Sequence, residues 1–170
     1  LPFKNCSSGW IYIQTSLHGS LPAQGTRVTP SHASLMPKIK TPNTGPAIQA
    51  LPQAHHYRFI GIEVGSSAVN QYNNLNYGLI VLNSMIQSGC YCNYNSDPNL
   101  FANNIVFDRT YIHGNPADHV VRGIAMNSLS TAVVDSTISE IHGYGQDTQA
   151  IAAWIGYGPF KIFNNYLEGS

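Results

Sequence analysis

Charge is what this sequence has least of. Of its 170 residues, 9% are Asp, Glu, Lys or Arg, against roughly a quarter in an average globular protein. Basic and acidic side chains number 8 each, and the formal net charge is zero. That excludes the basic footprint of a nucleic-acid binder and the polybasic patch of a protein held to anionic lipid. No apolar run nears the ~20 residues of a membrane-spanning helix, so no membrane span is expected. The opening Leu1-Pro-Phe-Lys-Asn-Cys-Ser7 has no basic start followed by an apolar stretch, as a secretory leader would. Helical periodicity is missing: no window sustains an i, i+3, i+4, i+7 apolar stripe, and Gly or Pro interrupts repeatedly. There is no P-loop, dinucleotide fingerprint, G-x-S-x-G elbow or H-E-x-x-H.

Cysteine is scarce and odd in number: Cys6, Cys90 and Cys92. Three thiols cannot all pair within one chain. Cys90 and Cys92 are too close for an easy mutual bridge. Free thiols and a single bridge from Cys6 both stay open, while C-x-C with one distant cysteine matches no usual zinc spacing.

What is present is a repeated strand-and-corner unit. Asn104 to Gly114 joins a short apolar strand, a polar turn and a second apolar pair. Similar units run from Thr131 to Glu140 and from Phe160 to Gly169, and a fourth lies in Tyr57 to Val64. Ile112 to Ile138 is 26 residues and Ile138 to Leu167 is 29; Val64 to Ile112 is 48, which fits two turns or one turn with an insertion. A second class of strand alternates with the first: Pro46 to Leu51, Tyr77 to Asn83, Arg122 to Asn127 and Gln149 to Trp154. Trp10 to Gln14 and Lys38 to Lys40 are further short strands, separated by a long loop over 15–36.

Short strands repeating every 20 to 30 residues without helix are the pattern of a solenoid. The expected fold is all-β: a right-handed parallel β-helix of about five to six coils, one domain over 1–170, carrying loop insertions at 65–76 and 84–103. Stacked coils would bury apolar ladders, one of Ile48, Leu79, Ile124 and Ile151, another of Phe107, Val133 and Ile162. Both ends look uncapped. The expectation is a fragment of a longer β-helix, with end-to-end self-association through the open coil ends.

Residues His55 to Glu63, Ile105 to Gly114, Asp147 to Ile151 and Gly158 to Glu168 resemble a group of bacterial right-handed parallel β-helix proteins. These are pectate-lyase-like in fold and typical of soil acidobacteria; the likeness spans most of residues 9–168. The resemblance implies an extracellular or cell-surface location and a polysaccharide partner. It implies no defined reaction; pectate-lyase-like enzymes abstract a proton next to a carboxylate, commonly with a Ca2+ ion held by Asp and Glu that stabilises the developing enolate. No Asp-x-Asp or Asp-Asp pair occurs here. Ca2+ therefore has no local carboxylate cluster, and no metal ligands are assigned. Arg109, Asp135 and Asn164 fall in one column of the repeat, expected as an ion pair extended by Asn164.

Two corners carry the candidate chemistry. In His113-Gly-Asn-Pro-Ala-Asp-His-Val-Val-Arg122, the catalytic candidates are His113, His119 and Arg122, with a histidine as general base and Arg122 holding an acidic sugar. Asp118 there, and His142, Tyr144 and Asp147 in the next corner, are candidate substrate contacts, Tyr144 by stacking on a sugar face. The first functional expectation is an exported lyase or hydrolase of acidic glycans. The alternative is a non-catalytic cell-surface, glycan-binding or structural solenoid segment.

Overall fold

The structure, a computed structural model, describes residues 1–5, 9–67, 75–83 and 97–170. Cys6, Cys90 and Cys92 lie outside these residues, as do the greater parts of the 65–76 and 84–103 insertions. Among the described residues, helix is confined to 3-10 segments at His18–Ser20, Pro30–Leu35 and Pro98–Leu100. None is long and apolar enough to cross a membrane.

Three all-parallel sheets make up the rest. Sheet A holds β1 (Ile11–Gln14), β4 (His55–Ile60), β7 (Asn103–Asp108), β10 (Leu129–Val134) and β13 (Phe160–Phe163). Sheet B holds β2 (Lys38–Thr41), β5 (Glu63–Ser66), β8 (Tyr111–His113), β11 (Thr137–Ser139) and β14 (Tyr166–Leu167). Sheet C holds β3 (Ile48–Gln49), β6 (Ile80–Val81), β9 (Arg122–Ala125) and β12 (Gln149–Ala152). Each strand pairs with the one three places later in the chain, so the chain visits A, B and C in turn. Among the described residues this gives four complete rounds and two strands of a fifth, where about five to six coils are expected. The arrangement is compatible with a parallel β-helix.

Alternation within each strand sets its faces. In sheet A, Ile13, Phe59, Phe107, Val133 and Ile162 share one register row. The Phe59 and Phe107 rings stack at 5.1 Å and 12°. Sheet B contributes Ile39, Val64, Ile112, Ile138 and Leu167. The sheet C row is Ile48, Ile80, Ile124 and Ile151. The middle rounds of these rows join one buried core. The expected ladder is thus corrected at one rung, from Leu79 to Ile80. Leu79 to Leu82 is a continuous buried apolar run, and without polar alternation nothing in it marks the register.

The pairing also corrects one reading and decides between two alternatives left open. The unit read as one strand and a corner is two strands in different sheets. β5 pairs directly with β8, so Val64 to Ile112 is one round with an insertion, not two.

The A-to-B corner is two residues long in four rounds, and its first residue is left-handed each time: Gly61 (φ 60°), Arg109 (φ 48°), Asp135 (φ 52°) and Asn164 (φ 53°). In the last three of these corners the second residue joins a polar ladder. Thr110 N–H donates to Ser136 Oγ at 2.9 Å, and Ser136 N–H donates to Asn165 Oδ1 at 2.8 Å. The expected Arg109–Asp135 pair is not formed. Arg109 Nε bonds Asp108 Oδ1 at 2.8 Å, while Asp135 Oδ1 accepts from Asn164 Nδ2 at 2.7 Å.

In the first round the same corner is expanded into the 15–37 connection, which crosses the corners of the later rounds as a strap. Arg109 Nη1 donates to Pro22 O (3.0 Å), Gly25 N–H to Asp135 Oδ2 (2.7 Å), and Thr137 Oγ1 to Val28 O (2.6 Å). Asn164 Nδ2 donates to Gly25 O at 3.0 Å. Leu21, Val28 and Met36 are buried beneath the strap against Ile60 and Tyr111.

Gly61 meets this strap most closely. A Cβ there would collide with Leu21 Cδ1 and lie 2.8 Å from Thr15 Cγ2, at a backbone angle that L side chains avoid. Gly61→Ala is expected to destabilise the protein by about 2–3 kcal/mol, combining left-handed strain with overpacking. The urea midpoint of unfolding measures it; an unchanged midpoint would show that the strap does not pack on this corner.

Candidate functional site

The B-to-C connections 114–121 and 140–148 lie in successive rounds and are held face to face. Gly114 N–H donates to Ser139 O at 3.2 Å, and Val120 N–H donates to His142 O at 3.0 Å. A side chain at Gly114 would run into Glu140 O, so glycine is what allows the two corners to abut. Asn115 Oδ1 accepts from Ala117 N at 3.1 Å, closing a turn that presents Asp118 and His119.

Between the two connections is a cleft of ≈ 540 Å³ whose lining includes Asp118, His119, His142, Tyr144 and Gln146. Asp118 is 1% exposed, and its Oδ1 accepts the His119 N–H at 2.9 Å. His119 Nδ1 accepts the Tyr144 backbone N–H at 3.2 Å. A backbone amide can only donate, so this bond places the His119 lone pair on Nδ1 and the hydrogen on Nε2. His142 Nε2 lies 3.6 Å from Glu140 Oε2. Tyr144 is 76% exposed. The cleft therefore joins imidazole and amide hydrogen-bonding groups to an open aromatic ring.

Four of the seven candidate residues meet here: Asp118, His119, His142 and Tyr144. Asp147 is exposed in the same connection but is not part of the lining. Arg122 is half-buried in β9, its guanidinium 5.0 Å from the Trp154 ring centre. His113 belongs to β8 and turns onto the outer face of sheet B. Its Nδ1 faces Gly114 O at 2.5 Å, its Nε2 faces Glu63 Oε1 at 3.2 Å, and its ring stacks on Tyr111 at 4.3 Å. Both ring nitrogens face protein oxygens, and His113 is not part of the cleft lining. The three proposed catalytic side chains thus occupy three separate settings.

The sequence reading missed the partner of His113. Glu63, 3% exposed, is bonded by Lys38 Nζ and His113 Nε2 and has Lys40 Nζ at 3.2 Å. Burial pushes its carboxyl up, but hydrogen bonds from Lys38, His113 and Lys40, with the Lys38 charge, outweigh it and hold the carboxyl below the usual range. Lys38 and Glu63 share a register row, and only the three-round pairing could have brought them together. Among the described residues, no group of three or more His, Cys, Asp or Glu is placed to hold a metal ion.

No family model matches this chain, and no curated protein or solved structure matches it either. The likeness to pectate-lyase-like proteins therefore gains no support from relatives, and function has to be argued from the cleft.

Two outcomes are expected. Replacing His119 with Ala removes the acceptor of the Tyr144 amide, so hydrogen exchange at that amide should accelerate several-fold while core amides keep their protection. Glu63 titrates lower in the folded chain than in the unfolded one. Its stabilising effect is therefore complete above the unfolded value of about 4.3 and is lost as pH falls through the folded value. In urea titrations between about pH 6 and pH 3, Glu63→Gln should lower stability at the upper end and flatten the acid loss. A parallel downward displacement of the whole curve would show that the carboxylate charge is not the cause.

Proposed function

We propose that this chain is a segment of a right-handed parallel β-helix of the pectate-lyase-like kind, exported, that binds polysaccharide at the B-to-C corner without cleaving it. Sheet order supports the fold reading: every strand pairs three places on, in three parallel sheets. The observation that carries the function is the cleft itself. It sets the open Tyr144 ring beside His119, His142 and Gln146. An aromatic face with flanking polar groups suits a sugar ring, which stacks its C–H face and hydrogen-bonds its hydroxyls.

Lyase or hydrolase chemistry at this corner needs His113, His119 and Arg122 acting together. His113 is bonded to Glu63 and Arg122 packs on Trp154, so binding without turnover is the better-supported reading. A scarcely charged surface fits a neutral or weakly acidic glycan approached through hydrogen bonds and stacking rather than by long-range attraction.

Affinity electrophoresis against a panel of uronate and neutral polysaccharides tests the proposal, with ultraviolet absorbance of unsaturated products and reducing-end assays followed with and without Ca2+. Retardation by at least one polymer, no product, and about tenfold weaker retardation for Tyr144→Ala are expected, corresponding to the ~1–1.5 kcal/mol of one aromatic contact. Appearance of product would restore the enzymatic reading. Retardation indifferent to Tyr144→Ala would move the site off this cleft.

A further inference from the structure

Charged side chains are few, yet Arg58, Asp108, Arg109, Asp135 and Lys161 gather at one place, nearly a third of the protein's 8 basic and 8 acidic residues. They flank the outer face of sheet A beside the strap, where a cavity of ≈ 250 Å³ has Arg58, Asp108, Val134, Asp135, Lys161 and Phe163 in its lining. Its two carboxylates are already engaged. Asp108, 1% exposed, is bonded by Arg58 Nη2 at 2.7 Å and by Arg109 Nε at 2.8 Å. Asp135 accepts from Gly25 N and Asn164 Nδ2, each at 2.7 Å. The cations are less committed. Among the described residues, one of the five Arg58 N–H donors is used, by Asp108. Lys161 Nζ makes no hydrogen bond among them and hovers 5.8 Å from the Phe163 ring centre.

Register gives the spacing. Arg58, Val106, Ala132 and Lys161 stand in one row across four adjacent strands. At roughly 4.8 Å per strand, the backbones of the two cations lie about 14 Å apart. Between them the outward floor is short and apolar, Val106 and Ala132 with Val134 alongside, all half-buried. Phe163 stands at one side, 59% exposed. Such a floor gives a sugar hydroxyl nothing to bond to, but it suits an aliphatic side chain.

We propose that this face of sheet A docks an extended acidic peptide from a partner protein, with carboxylates at positions i and i+4 and an aliphatic residue at i+2. An extended chain advances about 3.4 Å per residue, so i to i+4 spans about 14 Å, and i, i+2 and i+4 point to one side. The carboxylates meet Arg58 and Lys161, and the residue at i+2 covers Val106 and Ala132. The site is separate from the glycan cleft and does not depend on it.

The test is a titration of the isotopically labelled protein with acetyl-Glu-Ser-Leu-Ser-Glu-amide, followed by NMR. Shifts should concentrate at Arg58, Val106, Ala132, Lys161 and Phe163. The glutamine analogue and a peptide with its two glutamates only two positions apart should bind more weakly. Lys161→Gln replaces an exposed side chain without touching the buried Asp108 cluster, and should weaken binding about threefold to fivefold, as one exposed ion pair allows. Arg58→Gln should do the same provided its urea midpoint is unchanged. The proposal falls if the charged and glutamine peptides bind alike, if Lys161→Gln has no effect, or if trigalacturonate shifts these resonances while the peptide does not. Tyr144→Ala should leave the peptide titration unchanged, which separates this site from the glycan cleft.

Discussion

Four rounds of this chain have two residues in which to leave sheet A and enter sheet B, and the first of them has a positive φ. Gly61, Arg109, Asp135 and Asn164 occupy that position. Only one of the four is glycine, so the other three carry the small cost of left-handed backbone. Asn and Asp are the non-glycine residues that bear it best. The surroundings hold the conformation in place: Arg109 N–H reaches Val134 O, and Asp135 N–H reaches Phe163 O, extending the backbone ladder across the turn. From this corner follow the register of sheets A and B, the alignment of the apolar rows, and the stacked polar ladder through Thr110, Ser136 and Asn165.

The same corner explains where the charges went. A parallel sheet buried on its inner face has no place for an inward carboxylate, and the two buried carboxylates that lie in strands, Glu63 and Asp108, stand on outer faces under cover. Asp108 sits beside the corner with two arginines. Burial would raise its carboxyl, but bonds from Arg109 and Arg58 outweigh that and hold it low. Glu63 begins the next strand, on the outer face of sheet B, with Lys38 and Lys40 from the round before and His113 from the round after. In both clusters the partners come from different rounds. Each ion cluster therefore ties neighbouring rounds together from outside while the apolar rows tie them from inside.

Much of this was legible in the sequence, for a definite reason. Repetition of Phe107, Val133 and Ile162, and of Ile112, Ile138 and Leu167, at nearly constant spacing lets one copy be checked against another. Arg109, Asp135 and Asn164 fell in their true column on that ground alone. Where repetition failed, so did the reading. The first round hides its membership because 23 residues, 15–37, replace a two-residue corner, so Ile13 and Ile39 looked unrelated to Phe59 and Val64. An unbroken apolar run fixes no phase, so the sequence alone does not separate Leu79 from Ile80. At the site, the pairing of the two B-to-C connections could be read, and with it the meeting of His119, His142 and Tyr144. His113 could not be placed, because the last residue of a three-residue strand and the first of a loop look alike until its partner Glu63, 50 residues back, is known.

The faces of the molecule are not equivalent as places for a ligand. The A-to-B corner is occupied: the strap lies on it, and its polar groups already bond Pro22, Gly25 and Val28. A ligand there would have to displace bonds that hold several rounds together. Tyr144 at the B-to-C corner is 76% exposed, and the two connections there abut only because Gly114 lacks a side chain. Replacing that glycine would force the corners apart and widen the cleft without altering any of its polar residues. The geometry of the site is thus set by backbone packing between rounds and by the His119–Tyr144 bond, while exposed side chains such as Tyr144 and Gln146 add chemistry that the packing leaves free to vary. Such a corner can change what it binds by substitution at positions such as His142, Tyr144 and Gln146, with the apolar rows beneath left intact.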